Sequence, residues 1–369
     1  MNLRQYPQAV TSFRKAIDIN PEQPYAYNNL GLVLMYQHKY DEAVPQFQKQ
    51  LQVNEDDPYV HPNLGRLYMQ TKEYDKAVAE FELAAKAKPD NAQAAINLGF
   101  AYAEARQIEK AEKAFDRALE ISPVPSIQND VAYELGEMNI QMDRAEALVK
   151  SAIHTVSEQT IAIDLDNLSM TDKGHMCEIA AYWDTLGWIK FHEGDERQAE
   201  RFVGAAWGLC EYTAIGDHLG QIYEKQGRKA DAILQYELTL GKLQAPPETR
   251  PRLTALLAPG ADVDAKIGAA KDKRSAEAGI KFKNSGNANG NGEVWLVLKP
   301  GPTVDAVKFV SSSDGLQAAA ADIRAVKFPN TFPDSTEIKL LRRAWVTCST
   351  HTHECLIGLI SADSVAAAN

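Results

Sequence analysis

The chain has 369 residues, a net charge of −11 and 45% hydrophobic residues. That length leaves room for two or three domains with buried cores. The acidic balance, spread without long like-charge blocks, argues against a phosphate-binding surface and so against nucleic acid as a partner, and no run approaches the roughly 18–20 apolar residues that span a bilayer.

The N-terminus, Met1 to Tyr6, lacks the apolar core of a secretory signal. Tyr6-Pro7-Gln8-Ala9, Phe13, Ala16 and Pro21 instead match the second half of a pattern that returns downstream at Tyr40-Asp41-Glu42-Ala43 and Tyr74-Asp75-Lys76-Ala77. Residues 1–23 therefore read as a half-unit whose partner helix is missing. Because helical arrays need capped ends, this reads as a fragment or mis-called start of a longer protein. The expected compartment is the cytoplasm for the sequence as written, or the periplasm or envelope if a signal lies upstream.

From Pro24 to Ser126 one phrase is written three times. Leu-Gly falls at Leu30-Gly31, Leu64-Gly65 and Leu98-Gly99, a period of 34; Ala43, Ala77 and Ala111 follow, each with Phe47, Phe81 or Phe115 four residues on. Small residues at fixed stations allow two helices to approach closely, large ones fill the space between successive pairs, and Pro21, Pro89 and Pro123 stop the second helix of each pair. The pattern resembles the tetratricopeptide repeat at nearly every station of the three units starting at 24, 58 and 92.

A fourth unit keeps the period from Ser126, with Ala145, Val149 and Ala152 at second-helix stations, but its first helix, around Asn129–Tyr133, lacks Leu-Gly at the expected place. The next match starts at Ala180 with Trp183, Leu186-Gly187 and Ala199, 54 residues after Ser126 and so 20 beyond the period. The extra residues are placed at about 158–177, with Thr171-Asp172 as the N-cap of the following helix. A sixth unit from 213 carries Leu219-Gly220, Ala232 and Tyr236, closes at Pro246-Pro247, and is followed by a short helix over Arg250–Leu257.

Residues 259–292 read as a linker, holding one short helix over Ala261–Lys273 and a Gly- and Asn-rich loop over Phe282–Gly292. Residues 293–369 read as a small α+β domain of order ββαββ: strands Val294–Leu298 and Val304–Val310 about the turn Lys299-Pro300-Gly301-Pro302, a helix Leu316–Arg324 capped by Asp314, then strands Ile338–Val346 and Cys355–Ile360. Val304–Ser313, Leu316–Ala325 and Val326-Lys327-Phe328-Pro329 resemble the C-terminal domain of TonB-type periplasmic proteins, although Val326 stands where that domain has Trp and the next strand carries Arg342-Arg343. The expected fold is thus mainly α: an α-α superhelical solenoid over 1–258, then the linker and the ββαββ domain.

The tetratricopeptide resemblance implies a concave face lined by first-helix positions 2, 5, 9 and 12. These are Tyr25, Asn28, Leu32 and Met35; Tyr59, Pro62, Arg66 and Met69; and Gln93, Ile96, Phe100 and Ala103. The carboxylate clamp of some relatives needs Lys at position 5 and Asn at position 9, and neither occurs in these units. The expected groove is apolar with one cation: Tyr25, Asn28, Leu32, Met35, Tyr59, Arg66, Met69, Ile96 and Phe100. It reads either as a seat for a protein or peptide partner or as a face covered by the chain's own insert or missing domains. Asn29, Asn63 and Asn97 repeat at the same period and read as ties between helices.

Cys348 and Cys355 flank a turn holding His351 and His353. A disulfide, two unpaired thiols and a metal pair all remain open, the last at a spacing tighter than structural zinc sites use. Cys177 and Cys210 read as small buried residues, and Trp183, Trp188 and Trp207 as core filling. No serine elbow, phosphate loop or His-Glu-x-x-His helix is present, and neither Cys348 with His351 and Glu354 nor Cys177 with His175 has the spacing of a nucleophile and its base. The expectation is a bacterial, non-catalytic interaction scaffold without cofactor or metal; the alternative is the accessory C-terminal half of an enzyme whose catalytic domain precedes Met1.

Overall fold

The computed structural model describes residues 6–23, 25–242, 244–277, 279–301, 303–313 and 315–362, with 271–277 as backbone. Pro24, Pro302, the expected cap Asp314 and the segment before Tyr6 lie outside them. The chain forms two compact units, one ending at Val131 and the other starting at Ala132.

In the first unit the half-repeat helix α1 (Tyr6–Ile19) precedes α2 (Ala26–Tyr36), α3 (Tyr40–Val53), α4 (Val60–Gln70), α5 (Tyr74–Ala87), α6 (Ala92–Glu104) and α7 (Ile108–Ile121), and α8 (Pro125–Glu137) begins there. α1, α5 and α7 each end two residues before Pro21, Pro89 or Pro123, as the bias of a pre-proline residue against helical backbone requires. Each turn between paired helices passes through a left-handed residue at the same station: His38, Lys72 and Arg106, with φ of 57°, 61° and 61°.

The pairs are held by one contact repeated along the array. A Cβ on Gly31 would lie 2.8 Å from Phe47 Cε1, one on Gly65 2.7 Å from Phe81, and one on Gly99 2.5 Å from Phe115. The bare glycine lets the phenylalanine of the second helix lie flat against the first helix. Phe47 and Phe115 are wholly enclosed, each worth about 1.5–3 kcal/mol of apolar burial. Around Phe47, Leu30, Leu34, Leu64 and Leu67 close a core shared by two successive units.

The second unit continues with α9 (Met142–Thr160), α10 (Met170–His192), α11 (Glu196–Leu209), α12 (Thr213–Lys225), α13 (Lys229–Leu240), α14 (Thr249–Leu256) and α15 (Val263–Glu277). Here the contact varies. Gly220 meets Tyr236, Gly187 meets Val203 at 2.6 Å, and Gly136 meets Ile189 at 3.1 Å. The in-register glycine station of the fourth unit is occupied by Tyr133, as expected; Leu135 nearby is fully buried, and Gly136 faces α10 instead of its own second helix. The residues inserted around 158–177 mostly lengthen α9 and α10, leaving only 161–169 between them. The cap of α10 is Ser169 rather than Thr171-Asp172: Asp172 N–H donates to Ser169 Oγ (3.1 Å) while Ser169 N–H donates to Asp172 Oδ2 (2.8 Å), a reciprocal capping box.

The expected linker is structured over much of its length. α15 fills 263–277, and β1 (Ile280–Lys283) occupies the start of the expected Gly/Asn loop, whose end begins β2 (Gly290–Lys299). With β3 (Thr303–Ser312), β4 (Leu340–Ser349) and β5 (Glu354–Ile360) these form one antiparallel sheet of order β1-β5-β4-β2-β3. The two expected hairpins are β2–β3 and β4–β5, joined by β2–β4 pairing, and β1 adds a fifth strand on β5. Leu316–Ala319 is a 3-10 turn running into the short helix α16 (Ala320–Arg324), which buries Leu316 and Ile323. The fold is a helical tetratricopeptide solenoid followed by a small antiparallel sheet domain.

The glycine contact gives a test with opposite signs. Gly65→Ala gains about 1 kcal/mol of helix propensity but forces Phe81 aside at a cost of about 1–3 kcal/mol, so it should lower the urea midpoint. Gly204→Ala, in α11 with nothing within 4 Å of the added methyl, should raise it. Shifts of the same sign would show that close approach does not select glycine at these stations.

Candidate functional site

First-helix positions of the array fall on two stripes, each stepping by seven residues and separated from the other by about 60° on the helical wheel. The structure separates them by burial. Positions 5 and 12 turn inward in the first and third units: Asn28 is 4% exposed, Met35 4% and Ile96 3%. These three, expected in the groove, cannot present their side chains to a partner. Met35 packs in the same core as Phe47 and Leu67. Positions 2 and 9 stay open. Tyr25 is 45% and Tyr59 54% exposed, Arg66 is exposed, and Leu32 and Phe100 are half-buried. Met69, at position 12 of the second unit, keeps partial exposure.

The open residues are held from beneath. Tyr25 begins α2 with φ of 63°, and its ring meets Tyr59 edge-on at 6.0 Å between centroids. Lys88 Nζ lies 5.4 Å from the Tyr59 centroid, a cation over an aromatic face. Arg66 Nη2 donates to Asn63 Oδ1 (2.7 Å), and Asn63 Nδ2 donates to Asn28 Oδ1 (2.8 Å). Asn28 N–H in turn donates to Gln50 Oε1 (3.3 Å), and Gln50 Nε2 to Asp57 Oδ2 (2.9 Å). Asp57 Oδ1 then accepts from Tyr59 N–H (3.0 Å). This buried polar chain fixes Arg66 at one end and the start of α4 at the other.

Sequence reasoning did not find that chain because it breaks the repeat. One period on from Asn28, Gln50 and Asp57 stand Pro62, Ala84 and Asn91, so no periodic signal marks it. The asparagine series is likewise not a continuous tie. Asn63 bridges α4 to α2, but Asn97 accepts from Gln93 within its own helix (3.3 Å).

The second unit encloses its chemistry-bearing groups. His218 Nδ1 lies 3.0 Å from both carboxylate oxygens of Asp184, its ring stacks on Trp188 at 4.0 Å, and Trp188 Nε1 donates to Glu137. Burial alone would depress the imidazole, but the Asp184 carboxylate, with Glu137 and Asp217 nearby, holds it above the ordinary histidine value. Asp217 accepts from Thr249 Oγ1 (2.6 Å), Gln221 Nε2 (2.9 Å) and Arg252. Trp183, Trp188 and Trp207 are all buried.

All four cysteines are paired. Cys348 and Cys355 are direct partners in the β4–β5 register and joined by a disulfide, with Cα atoms 4.1 Å apart. Cys177, expected to be simply buried, is joined to Cys210, which follows the last residue of α11, at a Cα separation of 5.4 Å. The missed signal was that residues near the start of a long first helix and at the end of its partner helix lie at the same end of the pair. Among the described residues no group of three or more His, Cys, Asp or Glu is arranged to hold a metal ion, and no helix is long and apolar enough to cross a membrane.

Tetratricopeptide repeat models match residues 3–37, 30–92 and 63–124. Residues 3–124 thus carry tetratricopeptide repeats. No curated protein matches it in sequence. Among solved structures, a tetratricopeptide repeat protein from Parabacteroides merdae ATCC 43184 shares 18% identity over 69% of this chain and 93% of its own, with a TM-score of 0.53. The APC/C hetero-tetramer Cut9-Hcn1 shares 15% identity over 69% of this chain and 46% of its own, with a TM-score of 0.46. YrrB, described as a tetratricopeptide protein with an unusual peptide-binding site, shares 20% over 53% and 90%, with a TM-score of 0.35. At such identities the first of these speaks to fold alone. The repeat matches end at 124, and the likeness of Val304–Pro329 to TonB-type domains rests on sequence alone. Proteins of this repeat class are generally protein-interaction scaffolds and typically non-catalytic.

The Asp184–His218 pair yields a pH test. Because the folded imidazole holds its proton more tightly than an unfolded one, the pair stabilises fully below about pH 6.5, and that contribution is lost as pH rises through the raised folded value. Asp184→Asn should therefore cost about 3 kcal/mol at pH 6, with a smaller gap to the parent chain at pH 9, read by urea unfolding. A gap independent of pH would contradict the charged pair.

Proposed function

We propose that the first unit is a non-catalytic scaffold that captures an extended or helical protein segment on Tyr25, Leu32, Tyr59, Arg66, Met69 and Phe100. The observation that carries this reading is the exposure of two large aromatic side chains, Tyr25 and Tyr59, beside one exposed guanidinium. Tyr and Arg are the side chains that dominate protein-binding hot spots, because they bring large contact area and directed hydrogen bonds together. The groups beneath are already ordered: Arg66 is oriented by Asn63, and Tyr59 by Asp57 and Lys88. A partner would therefore meet a surface whose ordering cost is largely met before binding.

The chemistry of the strip states what it should prefer. Leu32, Met69 and Phe100 take apolar side chains, and Arg66 takes a carboxylate in forked geometry. The partner segment is thus expected to alternate apolar residues with an acidic one.

A displayed library of random 12-residue peptides selected on the full chain should yield a consensus with an Asp or Glu flanked by apolar residues. By fluorescence polarisation, Arg66→Ala should weaken such a peptide at least tenfold, about 1.4 kcal/mol, and Tyr59→Ala by a similar factor, with unchanged circular dichroism. A consensus lacking the acidic residue, or affinities unmoved by both substitutions, would reject the proposed strip.

A further inference from the structure

The second unit contains a cavity of about 480 Å³ that the scaffold reading leaves unused. Its walls include Trp207 and Gly208 at the end of α11, Leu238 on α13, Ile280 on β1, Phe328 before β4 and Arg342 on β4. That volume lies within the range of cavities that hold small organic molecules, and its lining of aromatic and aliphatic side chains with a few polar groups is their usual composition.

The informative group is Arg342. It is 3% exposed. Its Nη2 donates to Gly208 O (2.8 Å) and Ile360 O (3.4 Å), and its Nε, also buried, has no acceptor. Among the described residues no carboxylate lies within ion-pair distance of it. Burial pulls the guanidinium down to about 10, with Glu211 acting the other way, so it still carries its proton at neutral pH. A buried full charge is normally retained only where an opposite charge meets it.

The groups around Arg342 do not supply that charge. The carbonyl end of α11, where Gly208 lies, offers about half a negative charge at most. Glu211, the carboxylate on the cavity wall, is ion-paired with Lys242. Its backbone N–H is taken by Ser361 Oγ at 3.1 Å. The cavity thus presents one buried, incompletely satisfied guanidinium to a space walled partly by aromatic and aliphatic side chains.

We propose that this cavity binds a small organic monocarboxylate, its carboxylate seated on Arg342 and its apolar body packed against Trp207, Phe328 and Leu238. A single negative charge matches the single unpaired cation. A dianion such as phosphate would bring a second charge toward Glu211 and leave the apolar walls unfilled. The carboxylate could belong to a free acid or to the C-terminus of a short peptide; both present the same group to the guanidinium. The Cys177–Cys210 disulfide ties α10 to the residue following α11, which holds the Trp207–Glu211 wall in place.

The test is isothermal titration calorimetry on the full chain with its disulfides intact, using 3-phenylpropionate, 3-phenylpropanamide, N-acetyl-Leu-Phe with a free C-terminus, and inorganic phosphate. The expected result is saturable binding of at least one of the two carboxylates at about 1 mM or tighter. The amide should bind at least tenfold more weakly than the acid, and phosphate should not compete. Tighter binding of the dipeptide than of the free acid would assign the source as a peptide end; the reverse would assign a metabolite-like acid. Arg342→Met should abolish binding. Because Arg342 is a buried residue of β4 and its loss can disturb the sheet, Leu238→Trp, which fills the cavity away from the charge, provides a second variant that should also abolish it. The amide comparison needs no variant at all. Absence of saturable binding by both carboxylates, equal binding of acid and amide, or stronger binding of phosphate would overturn the proposal.

Discussion

The structure depends first on a glycine of one helix lying under an aromatic ring of the next. Gly31, Gly65, Gly99 and Gly220 each lack the Cβ that would collide with Phe47, Phe81, Phe115 and Tyr236. The spacing from glycine to ring is 16 residues each time, one short helix plus its turn. That contact sets how close two helices come, and so which side chains are left facing outward. It explains why positions 5 and 12 of the first helix are drawn into the core in the first and third units while positions 2 and 9 remain open, and hence why the exposed strip consists of tyrosines, one arginine and partly covered apolar side chains.

Where the contact is kept, the sequence was easy to read, because both partners are rare residue types at fixed offsets. Where it is altered, reading failed in traceable ways. Gly136 packs on Ile189 of the next unit, a contact that the repeat pattern does not contain. The inserted residues leave the period and so carry no repeat signal, and longer helices α9 and α10 absorb most of them. Position rules borrowed from the repeat placed Asn28, Met35 and Ile96 in the groove; burial is decided by neighbours on other helices, and these the pattern does not state. β1 is hard to read from sequence because four residues with one partly covered face carry too little apolar signal beside a Gly/Asn-rich stretch. The Cys177–Cys210 bond links elements that only packing brings together.

The second unit shows two ways of keeping a charge inside. His218 holds its proton more tightly than a free imidazole because Asp184 meets it from the adjacent helix, with Trp188 closing one face. Both partners lie within first helices 34 residues apart, so the repeat itself brings them together and the pair serves cohesion. Among the described residues Arg342 has no such partner. It reaches the end of α11 from the sheet, meets two carbonyls and leaves part of its hydrogen-bonding capacity unused. The contrast separates a polar group that completes the fold from one whose charge is left for something else.

The central claim is that the first unit works through the outer strip of its first helices. Hydrogen–deuterium exchange of the full chain with and without a saturating selected peptide tests this most directly. The account predicts slowed exchange in α2, α4 and α6, centred on the turns that carry Leu32, Arg66 and Phe100, with α3, α5 and α7 unchanged. Protection confined to the second helices, or to the sheet domain alone, would contradict it.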